Sequence, residues 1–166
     1  MSKTEENLKK AFAIKSQTNQ KNRVFAKKAR MEGFPNIARL FKLTSEAERI
    51  HAEGNFIAMN LIGSTKDNVK TALTRGLKEY REVYPLMLEE AVSENHKAKR
   101  MFGYVVKAEE VHTDLYNEAL KALEEGKDLE VSDFYLCPSC GNIKSEKPGE
   151  ECPICKGPAE KFVKIN

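Results

Sequence analysis

Ala47-Glu48-Arg49-Ile50-His51 sets a carboxylate and an imidazole three residues apart, which on an α-helix puts both on one face and directs them into the same space. The pattern returns sixty-one residues later as Ala108-Glu109-Glu110-Val111-His112. One Glu-x-x-His pair is unremarkable on a solvated helix. Two in register, each with an apolar residue before the histidine, read as two halves of one metal site rather than as surface pairs that coincide.

The flanking sequence supplies the helices such a site needs. From about Glu5 to Met31 there is no Pro or Gly, and a 3,4-spaced stripe runs through Leu8, Phe12, Lys15, Asn19, Asn22 and Ala26 to a stop at Glu32-Gly33. A second helix after Phe34-Pro35 runs to about Ile62, with the stripe Ile37, Phe41, Thr44, Glu48, His51, Asn55, Ala58, Ile62. Ser64-Thr65-Lys66-Asp67 has the form of a capping box. It opens a third helix with the stripe Ala72, Gly76, Glu79, Val83, Leu86 and a kink expected at Pro85. The fourth, from Ser93 or His96 to Leu123, shows Phe102, Val105, Glu109, His112, Tyr116 and Ala119. Polar residues interrupt every stripe where a packed helix should be driest. Burying Glu48, Glu79 and Glu109 without a counter-charge would cost several kcal/mol each, so the helices should enclose a metal, a base or water. His96 lacks a partner at helical spacing and reads as a solvated helix-end residue.

With 40% apolar and 32% charged residues, the chain can bury one core and carry a small extra module. Its net charge of +3 is spread among interspersed acids and bases, which argues against a nucleic-acid or membrane partner. No apolar run suits a leader or a membrane span, so a cytoplasmic location is expected. The helical period ends at Glu124-Glu125-Gly126-Lys127-Asp128. Beyond it Cys137-Pro138-Ser139-Cys140 and Cys152-Pro153-Ile154-Cys155 form two C-x-x-C knuckles that can offer four thiolates to one tetrahedral ion, iron or zinc. The expected organisation is a helical domain over 1–126, a linker over 127–133 and a four-cysteine metal domain over 134–166.

These features together resemble the rubrerythrin family, a ferritin-like di-iron four-helix bundle joined to a small rubredoxin-like β domain of zinc-ribbon type. The resemblance spans nearly the whole chain and includes Ala11-Phe12-Ala13, Ser16-Gln17, Glu32-Gly33-Phe34-Pro35-Asn36-Ile37-Ala38, His51-Ala52, Tyr84-Pro85 and Glu160-Lys161-Phe162. It implies a mainly α fold with Glu48, His51, Glu79, Glu109 and His112 at catalytic di-iron ligand positions, Glu48 and Glu109 bridging. It implies that Cys137, Cys140, Cys152 and Cys155 hold the rubredoxin-type iron. It further implies that electrons from NAD(P)H enter through a rubredoxin-type reductase, pass from the four-cysteine iron to the bundle, and there reduce hydrogen peroxide to water.

Two positions depart from the family. Lys15 stands where a terminal carboxylate ligand precedes Ser-Gln, and Gly76 stands where the other terminal carboxylate belongs; the two are again sixty-one residues apart. Glu48, Glu79 and Glu109 supply three negative charges, and an inward Lys15 leaves two, which one divalent ion neutralises and two would overshoot. We therefore expect zero to two irons in the bundle, with at most one if the Lys15 ammonium occupies a vacated metal position, the alternative being that Lys15 reaches solvent and water fills the site. The rival functions are a redox carrier that uses only the four-cysteine iron, without peroxidase turnover, and a zinc-ribbon interaction module. In the second knuckle Lys156 takes the place after the last cysteine that Gly141 holds in the first. Finally, Gly63 to Lys66 spans only about 13 Å when extended, too short to cross a bundle end to end. Either flanking residues unwind, or the chain forms a homodimer in which helix pairs are exchanged.

Overall fold

A computed structural model describes residues 2–130 and 133–165. Val131 and Ser132, within the expected linker, and the terminal Met1 and Asn166 of the two expected domains lie outside the described residues. The chain is mainly helical with a small C-terminal sheet, the class expected from the sequence, and divides into two units, Met1–Ile62 and Gly63–Asn166.

The first unit is a helical hairpin of α1 (Lys3–Met31) and α2 (Pro35–Ala58). Ser2 and Glu5 form a reciprocal capping box at the start of α1, worth about 1 kcal/mol. Gly33 stops the helix at φ 83°, and the Phe34 N–H bonds back to Ala29 O at 2.9 Å. Pro35 then opens α2, where its missing N–H costs nothing. The seam is made of small side chains: Ala29, Ala38, Ser45 and Ala52 are buried. Phe12–Phe56 and Phe25–Phe41 stack across the hairpin at 5.2 and 5.6 Å. The polar middle of α1 is largely satisfied within this seam. The Asn19 amide donates to Ser45 O and Oγ at 2.8 and 3.0 Å, and the Asn22 amide to Thr44 Oγ1 at 3.3 Å.

The face of α2 that packs on α1 differs from the expected stripe. Ala38, Phe41, Ser45, Glu48, Ala52 and Phe56 turn inward, whereas Ile37, Thr44, His51 and Ile62 stay exposed, and α2 ends at Ala58 instead of near Ile62. Small residues allow the helices to approach, and Asn60 takes a left-handed φ of 53° just after the helix.

In the second unit α3 (Thr65–Lys78) begins at the expected capping box, Ser64 Oγ accepting from the Asp67 N–H. A π-helical turn, Glu79–Val83, joins it to α4 (Tyr84–Ser93). Pro85 has no N–H to give, and one wide turn absorbs the broken ladder, which is the form the expected kink takes. After a turn in which the exposed His96 accepts the Ala98 N–H on Nδ1 at 3.1 Å, α5 (Lys99–Glu124) packs against α3 and α4. Strands β1 (Phe134–Leu136), β2 (Ile143–Lys144) and β3 (Val163–Ile165) form an antiparallel sheet in the order β2-β1-β3. Tyr104 of α5 and Phe162 pack against its cysteine cluster.

Candidate metal sites

Each knuckle is a closed turn built from backbone hydrogen bonds. In the first, Cys137 N–H donates to Asn142 O at 2.8 Å and Gly141 N–H to Cys137 O at 3.0 Å; in the second, Cys152 N–H donates to Gly157 O at 2.7 Å and Lys156 N–H to Cys152 O at 2.9 Å. The two turns superpose in register, so Lys156 is the counterpart of Gly141, and both adopt left-handed backbone, φ 59° and 82°. The missing glycine is thus replaced by a strained lysine rather than by a different turn.

The turns bring all four Sγ atoms within 4.8 Å of one another. Cys137 Sγ lies 3.7 Å from Cys155 Sγ, and Cys140 Sγ 3.5 Å from Cys152 Sγ. A tetrahedral ion with metal–sulfur bonds of about 2.3 Å needs sulfur separations of about 3.8 Å, so the donors fit either zinc or a single iron. Burial raises the Cys140 and Cys155 thiols. At Cys152 burial acts the same way, but the N–H groups of Cys155 and Ile154 and the Cys140 thiol outweigh it and bring the group down to about 7. Four sulfurs this close cannot all ionise without a cation among them. Asn142, which the sequence reading passed over, is 2% exposed and directs its amide at Cys152 Sγ, 3.8 Å away. Its place directly after Cys-Gly was the available signal.

The five bundle residues fall in two groups. On the hairpin, Glu48 Oε2 is buried with no aligned hydrogen-bond donor, and the Lys15 ammonium stands 2.8 Å from it. Lys15 holds the Glu48 carboxyl below its usual range, against the opposing effect of burial. His51 Nδ1 lies 3.8 Å from the same oxygen and is largely exposed.

In the second unit, Glu109 and His112 share one face of α5, His112 Nδ1 lying 3.4 Å from Glu109 Oε1. His112 Nε2 meets Gly141 O at 2.8 Å. A carbonyl only accepts, so Nε2 carries the proton and Nδ1 keeps its lone pair for a metal. Glu79, first residue of the π turn, has Oε1 3.6 Å from Arg75 Nε. Gly76 faces Thr113, a buried residue that the sequence reading did not single out.

The donor sets therefore pass unequal tests. The α5 pair offers two donors, a carboxylate and an imidazole oriented by a carbonyl. On the hairpin a cation already stands against the Glu48 oxygen, and in the second unit a side chain at position 76 would meet Thr113.

Comparison with known proteins identifies the family of the chain. The rubrerythrin family model matches residues 6–120. Rubrerythrin-2 of Clostridium acetobutylicum is 32% identical, covering 93% of this chain and 92% of its own length. Nigerythrin of Nitratidesulfovibrio vulgaris is 33% identical over 96% of this chain and 85% of its own. Rubrerythrin of Porphyromonas gingivalis is 33% identical over 97% and 89%. Among solved structures, a mixed-valence nigerythrin is similar with a TM-score of 0.56 at 31% identity, covering 99% of this chain and 88% of that one.

Proposed function

Because the chain belongs to the rubrerythrin family, we propose that it is a non-haem iron redox protein of the cytoplasm whose four-cysteine iron is the electron port and whose terminal oxidant is hydrogen peroxide. A rubredoxin-type reductase using NAD(P)H reduces the four-cysteine iron, one electron at a time. The observation that carries this reading is the 2.8 Å hydrogen bond from His112 to Gly141 O. It ties the residue after Cys140 to the metal-binding face of α5, which a free-standing carrier or a zinc ribbon would not need.

Each residue has a defined part. Cys137, Cys140, Cys152 and Cys155 hold the iron, and Asn142 steadies the charge on Cys152. His112 and Glu109 hold one ion, which would supply the redox chemistry of the bundle. Glu79, at the π turn, is a carboxylate free to exchange its Arg75 contact for that ion. Glu48 and His51 are the corresponding pair of the hairpin. The functional division is the helical 1–126, the linker 127–133 and the metal module 134–166. One four-cysteine iron carries one electron and peroxide takes two, so the other would come from the ion held by His112 and Glu109.

The test is optical. A ferric tetrathiolate is red and bleaches on reduction, whereas zinc is colourless throughout. Protein reduced by NAD(P)H and a rubredoxin-type reductase should recover its colour on adding peroxide. His112→Phe should leave bleaching intact and slow recovery by about 10- to 100-fold. The second reading, a carrier without turnover, is favoured by the Lys15–Glu48 contact. Colour that never returns with peroxide would establish it.

A further inference from the structure

The two halves of the sixty-one-residue repeat have diverged in opposite senses at the same two places. In the first, position 15 holds the long Lys15 and position 52 the small Ala52; in the second, the matching residues are Gly76 and Thr113. Both Ala52 and Thr113 are buried.

A Cβ on Gly76 would lie 2.7 Å from Thr113 Cγ2 and 3.5 Å from Glu109 Oε2. The first distance is far inside carbon–carbon contact. Thr113 cannot easily turn away. It is 1% exposed, and its hydroxyl donates to Glu110 O at 2.7 Å, which fixes the methyl toward α3. On the hairpin the vacancy is filled by charge instead: Lys15 Nζ stands 2.8 Å from the buried, otherwise undonated Glu48 Oε2.

We propose that each unit carries its own bar to a second metal ion, Lys15 in the hairpin and the Gly76–Thr113 pair in the second unit. Lys15 is the fixed counter-charge of Glu48, and the Thr113 methyl plugs the place where a carboxylate on α3 would stand. Outside the cysteine module the chain then takes at most one divalent ion, on the Glu109–His112 face of the second unit. The inference rests on the family reading only in equating positions 15 and 76 with the terminal carboxylates.

It also explains why restoring those carboxylates alone should fail. Lys15→Glu with Gly76→Glu still leaves Thr113 in the way; adding Thr113→Ser removes the methyl and keeps the hydroxyl's bond to Glu110. The protein and both variants are reconstituted anaerobically with ferrous iron, and iron per chain is measured by mass spectrometry. The four-cysteine iron is counted separately from its red absorption. The wild-type bundle should hold no more than one iron, the double variant no more than the wild type, and the triple variant two. A wild-type bundle holding two irons, a double variant that reaches two, or a folded triple variant that stays at one overturns the proposal.

Stability gives a readout free of metal. Gly76→Ala should lower the melting temperature in the wild-type background and raise it, by roughly 3 °C, when Thr113→Ser accompanies it, since alanine then only improves the helix. A rise in both backgrounds would remove the plug. A colourless four-cysteine site would count against the redox function and leave the bundle count to stand or fall by itself.

Discussion

Lys156 is asked to do what the first knuckle assigns to Gly141. Both sit at positive φ, 59° and 82°, where a side chain costs about 1 kcal/mol or more. A Cβ on Gly141 would meet nothing within 4 Å, so Gly141→Ala should cost about 1 kcal/mol through backbone strain alone. At the other turn Lys156→Gly relieves that strain and gives up only the exposed, solvent-screened contact to Glu151 at 2.9 Å. The expected outcome is a small gain, under about 1 kcal/mol, in the denaturant unfolding of the metal-loaded protein. If Lys156→Gly destabilised by as much as Gly141→Ala, the equivalence of the two turns would be wrong. The knuckles themselves could be read from the cysteine spacing, because C-x-x-C leaves one compact way to present two sulfurs to an ion. Which residue would carry the strain could also be read, as Lys156 stands in the glycine's place. The amide of Asn142 could not, because it depends on the turn being closed first.

Among the elements, the capping box that opens α3 makes a pH-dependent claim. Asp67 Oδ2 accepts from the Ser64 hydroxyl at 2.6 Å and from its N–H at 3.3 Å. The Ser64 hydroxyl, then the Ser64 backbone N–H, hold the Asp67 carboxyl below its usual range, with burial opposing them. A depressed carboxylate stabilises the fold above its unfolded pKa of about 3.9 and loses that contribution as pH falls through the lower, folded value. Melting curves from pH 6 down to 3 should therefore fall less steeply for Asp67→Asn than for the parent protein, while Ser64→Ala should cost about 1 kcal/mol at neutral pH. Equal slopes would mean that the cap carries no linked proton. This cap, the Gly33 stop and the Pro85 irregularity were legible because each is local chemistry. The packed face of α2 was not. A reading of the stripe follows large apolar and site-like residues, Ile37, Thr44, His51 and Ile62, but the hairpin closes through Ala38, Ser45 and Ala52, whose virtue is how little space they take. Thr113 escaped for a related reason: its role exists only because Gly76, far away in sequence, lacks a side chain.

At the scale of the whole chain, the buried apolar residues among those described are alanines and cysteines only, while Ile14, Leu40, Leu43, Ile50 and Ile57 of the hairpin are each about 60% exposed or more. Side chains of that size stabilise by roughly 1.5–3 kcal/mol each when buried, and leaving them in water wastes most of what could hold a bundle together. The segment between α2 and α3, residues 59–64, reaches about 20 Å at full stretch. The 24 residues of α2 rise about 36 Å. We predict that these exposed faces are covered by a second copy of the chain, exchanged because the connection is too short to run the length of α2. Light scattering should give twice the chain mass, independent of dilution over the range where the protein stays folded. Inserting about twelve Gly and Ser residues into 59–64 lengthens the reach beyond 36 Å. That change should convert the dimer to a monomer that keeps its helicity, because a hinge too short to fold back is what forces the exchange. A wild-type monomer would refute the exchange at once. So would a dimer whose mass ignores the insertion, since its interface would then owe nothing to the length of the connection.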